Sequence, residues 1–327
     1  MYALTRLAAS TWGCTLIRAR EIYVKVIRAA MAYGAGVFHN PQCPKVAKAL
    51  ERKQNEGLQK VLGAYRATPI RNLELEAYCA PLDLYFNKRL ADFENRLRGS
   101  QIAATLDKTS NYIKRVLKNK KGRPKIQKTR VLGPNTSEWA RQWVQGTEKG
   151  TTGEALKRDW KKRWGNEPPH RAADITRPKA FQGSHLRVYK GFKKAQSFIL
   201  CQARIGKIGL RAFLFKQGVP EVYTPICPCG TGSQTAEHLF YQCEDPRSRS
   251  LRKLGFHTKE QVWEALSDPK LAKKLAQGLL SSGWLQEYRL ANKLHFEETL
   301  EAARVGVTKR PPPERHKKRR AHRPLAP

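Results

Sequence analysis

Cys227-Pro228-Cys229-Gly230 is followed by seven intervening residues before His238 and four more before Cys243, which gathers three thiols and one imidazole into a short stretch of chain. Thiolate sulfur and imidazole nitrogen are the ligand types of zinc. A closed set of four is the structural form of such a site, whereas a catalytic site keeps a position open for water. Gly230 suits a chain that turns around an ion after a ligand pair, because such a turn often needs positive φ. The single residue between Cys227 and Cys229 is tighter than the usual two to four. The residues therefore admit two readings: a structural Zn²⁺ site formed by Cys227, Cys229, His238 and Cys243, and reduced cysteines grouped by coincidence. Three thiolates around Zn²⁺ leave a local charge of about −1, so the ion does not itself attract phosphate and acts by folding its surroundings. His238 and Cys243 are five positions apart, and both face one ion only if a helix begins or ends near them.

No other constellation competes with this one. The chain has no Asp-Asp pair of the kind that two-metal polymerisation uses, and no Ser/His/Asp or Cys/His nucleophile arrangement. The expectation is a protein that binds rather than catalyses, with no small-molecule substrate. Cys14, Cys43, Cys79 and Cys201 stand in apolar or loop contexts without paired spacing and read as reduced thiols. Met1 to Ser10 lacks the pattern of a secretory signal, which points to an intracellular protein, nuclear or cytoplasmic and not secreted. No apolar run approaches the roughly twenty residues of a membrane-spanning helix.

Charge identifies the class of partner. The 327 residues carry 63 Lys+Arg against 27 Asp+Glu, a formal +36, and the excess peaks between residues 99 and 198, with 24 basic and 7 acidic residues. Such a field favours polyanions, with nucleic acid (RNA, an RNA–DNA duplex or DNA) the first candidate; the bland alternative is a solvated basic surface with no specific ligand.

The elements that must position these residues read as all-α. Ile22, Val26, Ala30, Tyr33 and Val37 recur at steps of three and four, as on one buried face of a long helix. Val46, Leu50, Gly57, Leu58 and Val61 form a second set that Gly63 is placed to stop. Thr68-Pro69 reads as a cap, and Pro81 opens a helix with the face Leu82, Phe86, Leu90, Phe93 and Leu97. Residues 1–98 are thus expected to form a helical bundle.

Residues 99–185 read as a basic, partly disordered linker with short helices around Trp139 to Val144 and Leu156 to Trp164. Trp139, Trp143, Trp160 and Trp164 either stack on unpaired bases or make the apolar stripes of those two helices. Residues 186–303 are expected to form a helical module around the knuckle. Two helices broken at Gly206 precede the metal ligands, a capping box stands at Thr258 to Gln261, and another helix starts at Asp268-Pro269. Residues 304–327, with Pro311-Pro312-Pro313 and Lys317-Lys318-Arg319-Arg320, form a disordered basic tail that is either a nucleic-acid or import patch or simply an end.

Several strings, in order, resemble the region after the palm of fungal non-LTR (LINE-like) retrotransposon reverse transcriptases. They are Ser10-Thr11-Trp12-Gly13, Arg20-Glu21-Ile22-Tyr23, Ala32-Tyr33-Gly34-Ala35, Lys53-Gln54-Asn55, Gly63 to Ile70 and Pro81 to Tyr85. Arg187 to Gly191 and Gly206 to Leu214 similarly resemble the approach to the family's cysteine/histidine knuckle. The resemblance covers residues 10 to 98 and 185 to 245. It implies a thumb-like bundle that holds a template–primer duplex, then a CCHC knuckle with Cys227, Cys229, His238 and Cys243 as ligands. The palm aspartates of that polymerase family are absent, as is the Asp-Gly-Ser start of its RNase H module. The resulting expectation is a non-catalytic nucleic-acid-binding fragment. The alternatives are a decayed remnant without a selected role and a slice of a longer polyprotein with RNA-directed DNA polymerase activity. Candidate phosphate contacts are Lys53 and Arg66 in the bundle, Lys120, Lys121 and Arg123 in the linker, and Lys190, Lys193, Lys194, Arg204, Lys207 and Arg211 ahead of the knuckle. Each is alternatively part of a solvated helix face.

Overall fold

A computed structural model describes residues 13–98, 100–102, 104–105, 136–166 and 183–304. The fold is all-α; within the described residues Ile226 and Ser233 add an antiparallel bridge. The N-terminal part contains α1 (Leu16–Ile22), a π-helical turn (Tyr23–Ile27), α2 (Arg28–Met31), α3 (Ala35–Phe38), α4 (Pro44–Leu62), α5 (Ile70–Glu76) and α6 (Leu82–Leu97). The middle contributes α7 (Thr136–Val144) and α8 (Thr152–Asn166). After a 3₁₀ turn (Ser184–Tyr189) come α9 (Lys194–Ile205), α10 (Arg211–Lys216), α11 (Ala236–Tyr241), α12 (Arg249–Arg252), α13 (Lys259–Ser267), α14 (Pro269–Ser281) and α15 (Arg289–Arg304).

Local chemistry accounts for most of these boundaries. Gly63 and Gly206 end α4 and α9 in the left-handed conformation, at φ 62° and 71°, which glycine adopts without a Cβ penalty. Thr258 and Gln261 form the expected capping box of α13, and Asp268 accepts from the backbone N–H groups of Lys270 and Leu271 at the start of α14.

The first helical face differs from its predicted register. Val26 is 60% and Tyr33 88% exposed, while Leu16, Ala19, Tyr23 and Arg28 are buried. The π-turn Tyr23–Ile27 holds more residues than an α-turn and breaks the 3.6-residue count at Val26, and the helix ends at Met31, so Tyr33 stands in the turn that follows rather than on a helical face.

α9 lies at the centre and packs against α1, α4, α5, α13 and α14. One core therefore runs from Leu16, Leu58, Leu62 and Leu73 through Ile199 and Leu200 to Leu239, Phe240, Leu275 and Tyr288. The described parts of 1–98 and 186–303 meet in that core. The two middle helices pack on α6 through smaller clusters, Leu75, Ala80, Leu84 and Trp160 in one and Ala91, Ala140, Trp143 and Ala155 in the other. Trp160 is 3% exposed and Trp143 donates its Nε1–H to Asp159 at 2.7 Å, so both tryptophans serve packing rather than base stacking.

Candidate metal centre

The two cysteines of the Cys-Pro-Cys turn are shaped by backbone bonds. The Cys227 N–H donates to the Gly232 carbonyl at 2.8 Å, the Gly230 N–H to the Cys227 carbonyl at 2.9 Å, and the Gln234 N–H to the Pro225 carbonyl at 2.8 Å. Gly230 takes φ 81°, the left-handed backbone that the turn requires. The other two members of the group come from α11 and the residues just after it. Thr235 caps it by accepting from the His238 N–H at 3.2 Å, which fixes His238 in its first turn. The helix ends at Tyr241, and the Cys243 N–H donates to the His238 carbonyl at 2.8 Å, returning Cys243 beneath the imidazole. A helix thus begins just before His238 and ends before Cys243, as their spacing demands.

One ligand atom from each of Cys227, Cys229, His238 and Cys243 lies within 4.8 Å of every other, and the group can hold a metal ion. Cys227 Sγ and Cys243 Sγ are 3.6 Å apart, and Cys229 Sγ and His238 Nε2 are 3.2 Å apart. Ligands about 2.3 Å (sulfur) and about 2.0 Å (nitrogen) from one tetrahedral ion stand about 3.5–3.8 Å from each other, so the donor types match zinc and the two shortest separations lie near that range. Cys227, His238 and Cys243 are buried, and Cys229 is half-buried.

Burial pushes the Cys227 thiol up to about 12, helped by its sulfur neighbours Cys229 and Cys243. At Cys229 burial also acts upward, but hydrogen bonds with Thr231, Cys227 and His238 together outweigh it and bring the thiol down to about 6. A cation among them would hold all three sulfurs as thiolates. Arg247 lies beside this group. It forms two hydrogen bonds to Asp245, both of 3.0 Å, and stacks 3.5 Å above the Trp284 ring, while Cys227 and Cys243 add to the field that keeps it charged. Sequence reasoning missed Arg247 because Trp284, the ring it stacks on, is brought beside it by the tertiary fold.

The predicted phosphate contacts divide sharply. Lys53, Arg66, Lys190, Lys193 and Arg211 are exposed, with Lys53 paired to Glu56 at 3.2 Å. Lys207 is half-buried, its ammonium 5.8 Å from the Phe213 ring centre. Lys120, Lys121 and Arg123 lie outside the described residues. Lys194 and Arg204 are corrections, since both are buried on α9. Arg204 donates to Glu76, to the Leu266 carbonyl and to Ser267 Oγ, which leaves it unavailable to a ligand. The Lys194 ammonium lies 5.3 Å from the Phe198 ring centre with no hydrogen-bond partner, and burial lowers its pKa. Both residues sit on a helix that neighbours enclose on all sides, so positions outside its periodic apolar face are covered as well.

No family model, curated protein or solved structure matches this chain.

Proposed function

We propose that this chain is a non-catalytic nucleic-acid-binding protein whose Cys227, Cys229, His238 and Cys243 hold a structural Zn²⁺. The observation that carries the reading is the conjunction of a formal +36 charge with a largely buried cluster of three sulfurs and one nitrogen whose ligand atoms lie within 4.8 Å of one another. Structural zinc supplies folding free energy to a segment that cannot otherwise close, and here that segment leads into the helices carrying exposed cations. The resemblance of residues 10 to 98 and 185 to 245 to the thumb and knuckle of LINE-like reverse transcriptases supports RNA or an RNA–DNA duplex as the partner. Recognition would then rest on phosphate contacts and duplex shape rather than on base edges.

The test is fluorescence anisotropy with a labelled RNA hairpin and a matched RNA–DNA duplex across a salt series, with and without a zinc chelator. Tight binding that weakens steeply with salt and is lost on chelation supports the reading. Salt-independent affinity overturns it.

A further inference from the structure

We propose that Gln234 is a positioning residue of the metal centre: its carboxamide orients the Cys227 sulfur and holds the first turn of α10, so that filling the site also fixes that helix. This rests on the zinc reading above and extends it to a residue outside the four candidate ligands. Gln234 is 2% exposed. Its backbone N–H donates to the Pro225 carbonyl at 2.8 Å, just ahead of Cys227, and its carbonyl accepts from the Ala212 N–H at 3.3 Å. The side chain divides between the same two segments. Oε1 accepts from the Arg211 N–H at 3.0 Å, and Nε2 faces Cys227 Sγ at 3.9 Å. A backbone N–H can only donate, so the atom against Arg211 is the carbonyl oxygen, and the NH₂ group is the one directed at sulfur.

This differs from the other polar contact to a candidate ligand, the Thr231 hydroxyl 3.1 Å from Cys229 Sγ. Thr231 is exposed, and its contact stays within the Cys-Pro-Cys turn. Gln234 is enclosed and has both ends of its amide engaged, which gives it one orientation. Groups that bond a ligand from outside the metal shell fix its position, and removing one typically costs about 10–100-fold in metal affinity. The next residue, Thr235, caps α11 and fixes His238, so adjacent residues brace two of the four ligands. In the other direction, the first N–H groups of a helix have no partner inside it. At the start of α10 those of Arg211 and Ala212 both end on Gln234. That helix carries Arg211 and Lys216, both exposed, and Phe213, whose ring centre lies 4.9 Å from that of Tyr65. One buried amide therefore connects a ligand sulfur to a helix that contributes no ligand.

The deciding experiment uses the full chain and three variants, Gln234→Glu, Gln234→Met and Thr231→Val. Glutamate keeps an acceptor for the Arg211 N–H but puts an oxygen in place of the donor at sulfur, and methionine keeps the length and removes both bonds. Zn²⁺ affinity is measured by competition with a chelator, the Co²⁺-loaded forms give the thiolate-to-metal charge-transfer band, and hydrogen exchange at the Arg211 amide is followed with and without zinc. Melting of the zinc-free forms reports on folding. Both Gln234 variants are expected to bind Zn²⁺ about 10–100-fold more weakly. Their charge-transfer band should move to lower energy, since a thiolate that has lost an N–H donor is more electron-rich. Zinc should raise protection of the Arg211 amide in the unaltered chain and in Thr231→Val, and this increase should vanish in both Gln234 variants. Unchanged affinity and band, or a zinc-dependent rise at Arg211 that survives in them, overturns the proposal. Weaker zinc binding with an unmoved band and a lower melting temperature without zinc assigns Gln234 to packing alone and also overturns it. Failure of the unaltered chain to take up zinc is a separate result, because it removes the metal centre itself and leaves Gln234 nothing to position.

Discussion

Arg204 and Glu76, 128 residues apart in sequence, form an ion pair of 2.7 Å with side chains only 2% and 7% exposed. The Tyr189 hydroxyl donates to the same carboxylate oxygen, and the Arg204 guanidinium continues to the Leu266 carbonyl at 2.9 Å and Ser267 Oγ at 3.1 Å. One carboxylate thus draws together α5, the 3₁₀ turn, α9 and α13. Burial acts to raise the Glu76 carboxyl, but Arg204, His185 and Tyr189 more than offset it and hold the group below its ordinary range.

Arg204→Ala is expected to destabilise the protein by about 3–5 kcal/mol, because it strands a carboxylate in the core. Urea denaturation at neutral pH measures this. A residue that touched nucleic acid from the surface would leave stability unchanged and reduce the salt slope. The sign of the pH effect follows from the depressed pKa of Glu76: its stabilisation is present above the carboxylate's unfolded pKa and is lost as acid protonates the folded group. A midpoint insensitive to Arg204→Ala would contradict the buried pairing.

Glu74 behaves in the opposite sense. It sits two residues from Glu76 on α5, accepts from Gln54 Nε2 at 2.8 Å and from Arg71 at 3.1 Å, yet burial outweighs these partners and pushes its carboxyl up to about 7. A folded pKa above the unfolded one favours the protonated carboxyl, so this group's contribution is full below about 4.5 and declines as pH rises through about 7. Glu74→Gln keeps an acceptor for Gln54 and removes the titration. Melting temperature plotted from pH 5 to 8 should fall less steeply in the variant than in the parent, and parallel curves would count against the shift.

The grouping of Cys227, Cys229, His238 and Cys243 was legible because its information is local: residue types and spacing alone bring out a set that could hold a metal ion, and Thr235 and Gly230 supply the cap and turn that gather it. Gly63, Gly206, the Thr258 capping box and Asp268-Pro269 were legible for the same reason. What sequence periodicity missed is set by distant partners. Lys194 and Arg204 interrupt the apolar pattern of α9 and read as surface cations, yet every residue from Lys194 to Ile205 is buried, with Gln202 bonded to the Gly63 carbonyl and Tyr288 Oη and Arg204 to Glu76. The π-turn at Tyr23–Ile27 has no composition signal and breaks the count at Val26, while the end of the helix at Met31 puts Tyr33 in a turn, so both residues read as core are exposed.

Gly63→Ala should be costly for two reasons at one position. The residue takes φ 62° at the end of α4, and a Cβ there would overlap the Phe198 ring of α9. The left-handed backbone costs about 1–2 kcal/mol for an L side chain and overpacking adds about 1–3 kcal/mol, which gives a loss on the order of 2–5 kcal/mol in chemical denaturation. Gly218→Ala is the informative control, since Gly218 has φ 69° and open space around its missing Cβ. It isolates the backbone cost, and if both substitutions cost the same, the close approach of α4 to α9 is wrong.

Metal removal is expected to loosen more than the knuckle. Cys227 and Cys243 belong to the same buried core as Leu58, Leu62 and Leu73 of the N-terminal helices, joined through Ile199 and Leu200 of α9. A structural ion stabilises whatever unfolds with it, so the affected unit is the cooperative core rather than the segment between the ligands. Cys243→Ser, or chelation of the zinc-loaded protein, should therefore lower hydrogen-exchange protection in α4 and α5 as well as in α11. Protection in α7 and α8, which rest on the separate clusters around Trp160 and Trp143, should change less. A loss confined to residues around the four ligands, with α4 and α5 untouched, would mean that the knuckle opens independently and that the packing of α9 against the N-terminal helices stands without it.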